Sequence, residues 1–387
     1  MRKVFYLVLS LVIASCTSNN ELQEKLAFID VTEEYPEKKI ELTDIAGVSY
    51  LHLNSKTDDY LYKGSIDYVT ENNIIVIDRS QNSVLFFSKE GNPKSHFNRR
   101  GQGPEEYSDA ASLMYDEAND EVFVSPDFSN HIMVYSSLGE FKRKINLPQV
   151  NVNGQMALFD DVSILVYDNT KLWQSTMQSN APEVEQTIDS VFFLISKLDG
   201  TVLDYISLPN ENIDLSYKNS VFTSQVNYGR VRKSADGLLL YNPESDTVFH
   251  YSKEKHLTPY MHKKPILSKN PMTVMDICMD AGKYQFIAVY PYRETGKSPT
   301  PKYYMRNKAT GELFRQKITL SDFEGKELYI NPRLFNYYEH AYHFELDFAE
   351  LEEAYYKNKL SGKLKELVAS LLENEESNNV FVFADFN

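Results

Sequence analysis

The chain has 387 residues, with 40 Lys and Arg against 55 Asp and Glu, and its formal charge of −15 argues against nucleic acid or an anionic membrane face as partner. Apolar residues at 42% and charged residues at 25% are ordinary for a globular chain and exclude a disordered, collagenous or polytopic membrane protein. The 27 Tyr and 22 Phe, beside 15 Gly and 15 Pro, favour strands over helices, so an all-β fold is expected.

At the N-terminus, Arg2 and Lys3 precede an apolar run over residues 4–14 that is broken only by Ser10. A charged start before about a dozen apolar residues is the pattern of a secretory signal, and it is too short for a spanning helix. The run ends in Val12-Ile13-Ala14-Ser15-Cys16. That end resembles the lipobox of bacterial lipoproteins, in which cleavage precedes the cysteine and its thiol carries diacylglycerol; an ordinary cleaved signal with a chance cysteine is the plainer alternative. The resemblance implies several acyl chains on Cys16, which anchor stably where one chain does not. The segmentation expected is a signal over residues 1–15, a lipidated flexible spacer over 16–26, and one domain over 27–387. Removing residues 1–15 takes away two basic residues and no acidic ones, which leaves −17 on the mature chain. No Asp follows Cys16, so nothing suggests retention in the inner membrane. With Cys16 acylated only Cys278 remains, and the fold must hold without an internal disulfide.

Beyond the spacer, residues 48–53 (Val-Ser-Tyr-Leu-His-Leu) alternate apolar and polar, the pattern of a half-buried strand. A repeating unit follows. Its clearest copy is Ile74-Ile75-Val76-Ile77-Asp78, a short polar turn, the strand 83–88, then Lys89-Glu90-Gly91 and a further strand to about Asn98, a β-meander with Gly at a turn. The second copy places strands at 121–124, 131–135 and 141–147, and the third at 163–168 and 190–195 around a long insertion. The fourth has strands at 238–242 and 247–251; the fifth and sixth are looser, beginning at 285–289 and 341–345, with partner strands at 302–305 and 380–383. Anchors at 75, 122, 164, 239, 286 and 342 are spaced 47, 42, 75, 47 and 56 residues apart, the longer gaps holding insertions. A period in the forties fits a four-stranded propeller blade, and a β-sandwich or another β-array is the alternative.

Between the first two copies lies Asn98-Arg99-Arg100-Gly101-Gln102-Gly103-Pro104-Glu105-Glu106-Tyr107. With this stretch the chain resembles the six-bladed β-propeller lipoproteins of Gram-negative bacteria, related to NHL-repeat propellers, which carry a similar Gly-Gln-Gly-Pro-x-Glu-Tyr motif. The resemblance covers most of the mature chain and implies fold and lipidation, with no settled activity. Residues 101–103 lack the strand-to-helix context and the following Lys of a phosphate loop, so Gly101 and Gly103 are turn glycines.

A propeller leaves no open edge between its first and last blades. The last strand, 380–383, follows a helical stretch and its blade still lacks an outer strand, so the segment 48–53 is expected to complete blade six. Leucines at 360, 364, 367, 371 and 372, with Val368, recur at helical spacing inside an insertion over about 348–376, which Ser361-Gly362 divides into two helices. Those apolar side chains are expected to pack on the propeller.

In an antiparallel meander the turn after the second strand and the connection to the next blade emerge on one face. The insertions 169–189, 292–301 and 348–379 and the stretch 99–107 therefore gather there, a common mark of a binding side. Trp173, in the first insertion, suits a peptide or sugar contact, or else plugs the rim. Arg99, Arg100 and Arg293 suit carboxylate binding, or else are solvated loop charges. Asp78, Asp127, Asp168 and Asp347 recur at the ends of second strands, where they either satisfy turn amides or ring the channel as ligands for calcium. His340 and His343 fall on opposite faces of one strand, which argues against a shared zinc. No Gly-x-Ser-x-Gly elbow occurs, and no catalytic residue, cofactor or metal ligand is assigned. The function expected is an outer-membrane-anchored lipoprotein, facing the periplasm or the exterior, that acts as a non-catalytic module for a glycan, peptide or envelope protein. A propeller enzyme of lactonase, lyase or glycosidase type, with channel carboxylates and a divalent metal, is the alternative.

Overall fold

A computed structural model describes residues 26–55, 57–126, 129–147, 156–167, 192–208, 231–241, 246–264, 273–291, 301–331, 341–373 and 377–386. Three strands precede the first full blade: β1 (Ala27–Asp30), β2 (Glu37–Glu41) and β3 (Gly47–His52), with the one-turn helix α1 (Leu42–Ile45) between the last two. Blade one is β4 (Ile66–Val69), β5 (Asn73–Asp78), β6 (Ser83–Ser88) and β7 (Pro93–Phe97). Blade two is β8 (Ser112–Asp116), β9 (Glu121–Ser125), β10 (His131–Tyr135) and β11 (Phe141–Asn146). Blade three is β12 (Met156–Leu158), β13 (Ser163–Tyr167), β14 (Phe192–Ser196) and β15 (Val202–Ile206). Blade four runs β16 (Val231–Ser234), β17 (Gly237–Tyr241), β18 (Thr247–Ser252), β19 (Leu257–Lys264), and blade five β20 (Thr273–Ala281), β21 (Tyr284–Pro291), β22 (Lys302–Asn307), β23 (Leu313–Thr319), with β24 (Glu327–Leu328) beside it. Blade six pairs β25 (Ala341–Leu346), β26 (Val380–Asp385) and β3 in that order. The fold is a six-bladed β-propeller; the first five repeat anchors read from the sequence fall in the second strands of their blades, and residue 342 falls in β25.

Blade stacking explains why the repeat reads as apolar runs. Every residue of β5 is buried, as are the four central residues of β6, because each middle strand is covered on both faces by neighbouring blades. Outer strands have one wet face, and β7 and β11 alternate partly buried or buried positions with exposed ones. The closure expected from the sequence is present: β3 pairs antiparallel with β26, from His52 opposite Val380 to Gly47 opposite Asp385. Residues 332–340, which precede β25, lie outside the described residues.

The other two N-terminal strands have roles that the sequence did not reveal. Strand β1 adds in parallel to β19 (Ala27 opposite Met261), and β2 adds in parallel to β23 (Glu37 opposite Arg315). The N-terminal segment is thus a belt over the rims of blades four and five before it completes blade six. Under β1, Lys263 Nζ and Asp246 Oδ1 form a fully buried ion pair at 2.6 Å.

The helical insertion forms as two helices, α2 (Phe348–Tyr356) and α3 (Gly362–Leu371), separated at the predicted break. Asp347 caps α2 by accepting the Glu350 N–H (3.0 Å). Leu351 and Ala354 of α2, with Leu360, Leu364, Val368 and Leu371, are buried in the core shared with blades five and six. These side chains pack on the propeller, and Cys278 is a free thiol buried in the same core.

Turn glycines set the spacing between blades. Gly91, Gly139 and Gly200 occupy equivalent turns before the outer strands, with φ of +82°, +79° and +81°. Each lies against the outer strand of the preceding blade: Gly91 on His52, Gly139 on Phe97, Gly200 on Asn146. A Cβ on Gly139 would sit 2.5 Å from Phe97 Cβ, whereas Gly325, with φ +79°, has nothing within 4 Å. Gly139→Ala combines left-handed backbone strain with an overpacked contact, and about 2–4 kcal/mol of destabilisation is expected in urea unfolding. Gly325→Ala carries the strain alone and should cost about 1–2 kcal/mol. Equal losses would refute the inter-blade contact.

Candidate functional site

Where blade six meets blade one, on the face that carries the connections between blades, lies an open cavity of about 770 Å³. Four segments line it: Leu61–Gly64 from the link between β3 and β4, Asp78, Ser80 and Gln81 at the β5–β6 turn, Glu345 at the end of β25 with Asp347 to Ala349 at the start of α2, and Ser377 to Asn379 before β26. These segments are far apart in sequence and meet only because the N-terminal strand closes the ring. Gly64 is required there, since a Cβ at this position would come within 2.6 Å of the Ile77 carbonyl oxygen.

Amides hold the walls. Asn378 Nδ2 donates to the carbonyls of Leu53 (2.8 Å) and Tyr60 (2.9 Å), and its Oδ1 accepts the Tyr62 N–H. Asn379 Oδ1 accepts the Phe348 N–H (3.0 Å) while its Nδ2 donates to Glu345 Oε1 (2.7 Å). The Tyr62 hydroxyl and Ser377 Oγ are buried and have no protein partner among the described residues. Burial raises the Glu345 carboxyl above its ordinary value, against the Asn379 hydrogen bond that lowers it, and nearby Asp347 raises it further. Behind the β5–β6 turn, Asp67 accepts the Ile77 N–H (2.7 Å) and pairs with Arg79 (2.6 Å). Desolvation nevertheless pushes the Asp67 carboxyl up to about 6, with Arg79 opposing and Glu345 adding to the rise. His343, on β25 beside the same seam, is buried, and burial lowers its imidazole to about 4.

The carboxylates proposed for the channel are engaged in local structure where they are described. Asp78 Oδ1 accepts the Ser80 N–H (2.9 Å) and hydroxyl (2.6 Å), and Asp347 caps α2. Asp127 and Asp168 lie outside the described residues, and no group of three or more His, Cys, Asp or Glu among those described is arranged to hold a metal. Cys16, Trp173, Arg293 and His340 also lie outside the described residues.

The motif that carried the family resemblance is structural. Arg99 Nε donates to the Gly139 carbonyl (2.7 Å), which ties the link between blades one and two to the next turn, and Arg100 is exposed. The buried Tyr107 hydroxyl donates to the Asn82 carbonyl (2.7 Å) and accepts the Arg99 N–H (3.1 Å). Glu106 Oε2 accepts the Gly103 N–H (2.7 Å), so the chain's own carboxylate occupies the glycine loop that an anion would otherwise enter. Neither Arg99 nor Arg100 lines the cavity. Sequence reasoning missed Tyr62, Glu345, Asn378 and Asn379; the expected closure by the N-terminal strand was the signal that could have brought their segments together.

Several known proteins are similar to this chain. A family model described as a domain of unknown function, DUF4934, matches residues 26–385. A Bacteroides fragilis protein described as exported is 15% identical, with 93% of this chain and 99% of that one covered at a TM-score of 0.63. A DUF4221 family member from Bacteroides vulgatus is 11% identical over 89% of this chain and 97% of that one, TM-score 0.45. Virginiamycin B lyase from Staphylococcus aureus is 13% identical over 76% and 80%, TM-score 0.37. No curated protein matches the chain.

Between about pH 4 and 6 the folded chain keeps a proton on Asp67 that the unfolded chain, at its ordinary 3.8, has released. This contribution to stability is complete below about pH 4 and is lost as pH rises to about 6. Asp67→Asn stays neutral throughout, so its stability relative to wild type should improve as pH rises from 4 to 6 and level off above. Urea unfolding at a series of pH values reads this, and a difference independent of pH would refute it.

Proposed function

We propose that this chain, which belongs to the DUF4934 family, is an outer-membrane lipoprotein whose propeller is a non-catalytic module that binds a glycan, peptide or envelope protein. The observation that carries the binding role is the cavity of about 770 Å³ at the closure seam, on the face that carries the connections between blades. Its lining of amides, hydroxyls and carboxylates with Leu61 and Phe348 suits a ligand rich in hydroxyl or amide groups. A free carboxylate oxygen of Glu345 and the amide groups beside it offer hydrogen bonds, while the apolar side chains offer a stacking or packing surface.

For the envelope location, support comes from the charged and apolar start followed by Cys16, and from the exported neighbour of the same fold. Among the described residues no helix is long and apolar enough to cross a membrane, so an anchor at Cys16 would be needed to hold the propeller there.

Two measurements test the reading. Cys16→Ala should move the protein from the membrane fraction to the soluble fraction and abolish acylation seen by mass spectrometry; retention in the membrane fraction would refute the lipid anchor. Thermal unfolding of residues 21–387 with panels of oligosaccharides and peptides should find a stabilising ligand, worth roughly 2.7 kcal/mol at about 100 times its dissociation constant. Glu345→Gln with Asn379→Ala should remove that gain. Stabilisation by calcium alone would instead favour the enzymatic alternative.

A further inference from the structure

Outer sheet edges are mostly covered or guarded among the described residues, and β15 of blade three is the outer strand that leaves two large apolar side chains exposed. Blades four and five have their rims covered by β1 and β2. The outer strand of blade one begins with Pro93 and exposes Lys94 and His96, and that of blade two exposes Lys142 and Lys144. Proline and lysine on an edge strand are the usual defences against unwanted strand pairing. In blade three, β15 reads Val202-Leu203-Asp204-Tyr205-Ile206 with no Pro or Lys. Leu203 is 48% exposed and Tyr205 47%, and among the described residues no strand pairs with the outer side of β15.

We propose that the outer edge of blade three is a docking site for an extended peptide segment, which adds to β15 as a fifth strand and carries a basic residue flanked by apolar ones. The fold itself provides the precedent, since two of its blades already take a fifth strand in parallel. Backbone hydrogen bonds supply affinity in such strand addition, and alternate side chains supply specificity.

The side chains of β15 fix the pattern of the partner. Tyr205 is opposite Phe193, with the ring centroids 6.3 Å apart, and a bulge between Leu194 and Ile195 sets Val202 opposite Ile195 on the same face, so the residues beside Tyr205 and Val202 should be apolar. Asp204 is opposite Leu194 on the other face, and the residue beside it should be basic. At present the Tyr205 N–H donates to Asp204 Oδ1 (2.9 Å), a side-chain partner where the carbonyl of an added strand would stand. Pairing frees that carboxylate for the basic residue. A second copy of this chain fits poorly, because an antiparallel pair centred on Asp204 sets two carboxylates face to face.

The test uses the full chain and three blocked peptides: acetyl-Thr-Ile-Lys-Ile-Thr-amide, the same peptide with Glu for Lys, and the Lys peptide with its backbone N-methylated. The Lys peptide should slow hydrogen exchange at residues 202–206 and bind at least about tenfold more tightly than the Glu peptide, and N-methylation should abolish both effects. In Leu203→Lys with Tyr205→Lys, which copies the guard of blade two, binding should vanish while the melting temperature is kept. Asp204→Lys should reverse the preference between the Lys and Glu peptides, a readout that does not depend on the double variant folding. Unprotected amides at 202–206, a preference that fails to reverse, or dimers that the peptide disperses would each overturn the proposal. None of these readouts involves the seam cavity or the lipid anchor.

Discussion

A ring of blades holds only if its last sheet is tied to its first, and the tie here is the antiparallel ladder between β3 and β26. The six residue pairs from Gly47–Asp385 to His52–Val380 join strands that are more than three hundred residues apart in the chain. Loop closure on that scale is entropically costly, and the burial that the closed ring permits offsets it. Phe381 and Leu53 are fully buried in the cluster that also contains Ile74, Leu85 and Phe87 of blade one. The core of blade one is therefore completed by the closure.

The same tie brings together the cavity that we identify as the candidate site. Its walls come from the link that follows the closing strand, the β5–β6 turn of blade one and the two ends of the helical insertion. Desolvation dominates the electrostatics there. It raises Asp67 and Glu345 in spite of Arg79 and Asn379, and it keeps His343 neutral. These groups need local partners to remain in the seam, and Asp67 finds them in the Ile77 amide and Arg79.

Edge management is the other theme of the molecule. The N-terminal segment covers two rims in succession before it closes the ring, and positive-φ glycines let the blade turns press against the preceding outer strands. Lysines guard the next two rims. Against that background, β15 is conspicuous as the outer strand that exposes two large apolar side chains, Leu203 and Tyr205, among the described residues.

Sequence alone determined the elements whose cause is local or periodic. Six apolar anchors marked one middle strand in each of five blades and β25 in the sixth, since strands buried on both faces must be apolar throughout, and leucine spacing with Ser361-Gly362 marked two helices. The alternation at 48–53, with the need to close a ring, marked the strand that completes blade six. The sequence could not show that β1 and β2 belt two other blades, because a four- or five-residue segment such as Glu37-Lys38-Lys39-Ile40-Glu41 has one buried side chain and no pattern of its own. Nor could it show that Arg99 serves the turn at Gly139, or that Tyr62, Glu345, Asn378 and Asn379 share a cavity. Those outcomes depend on which distant surfaces meet when the blades stack, and tertiary packing alone decides that.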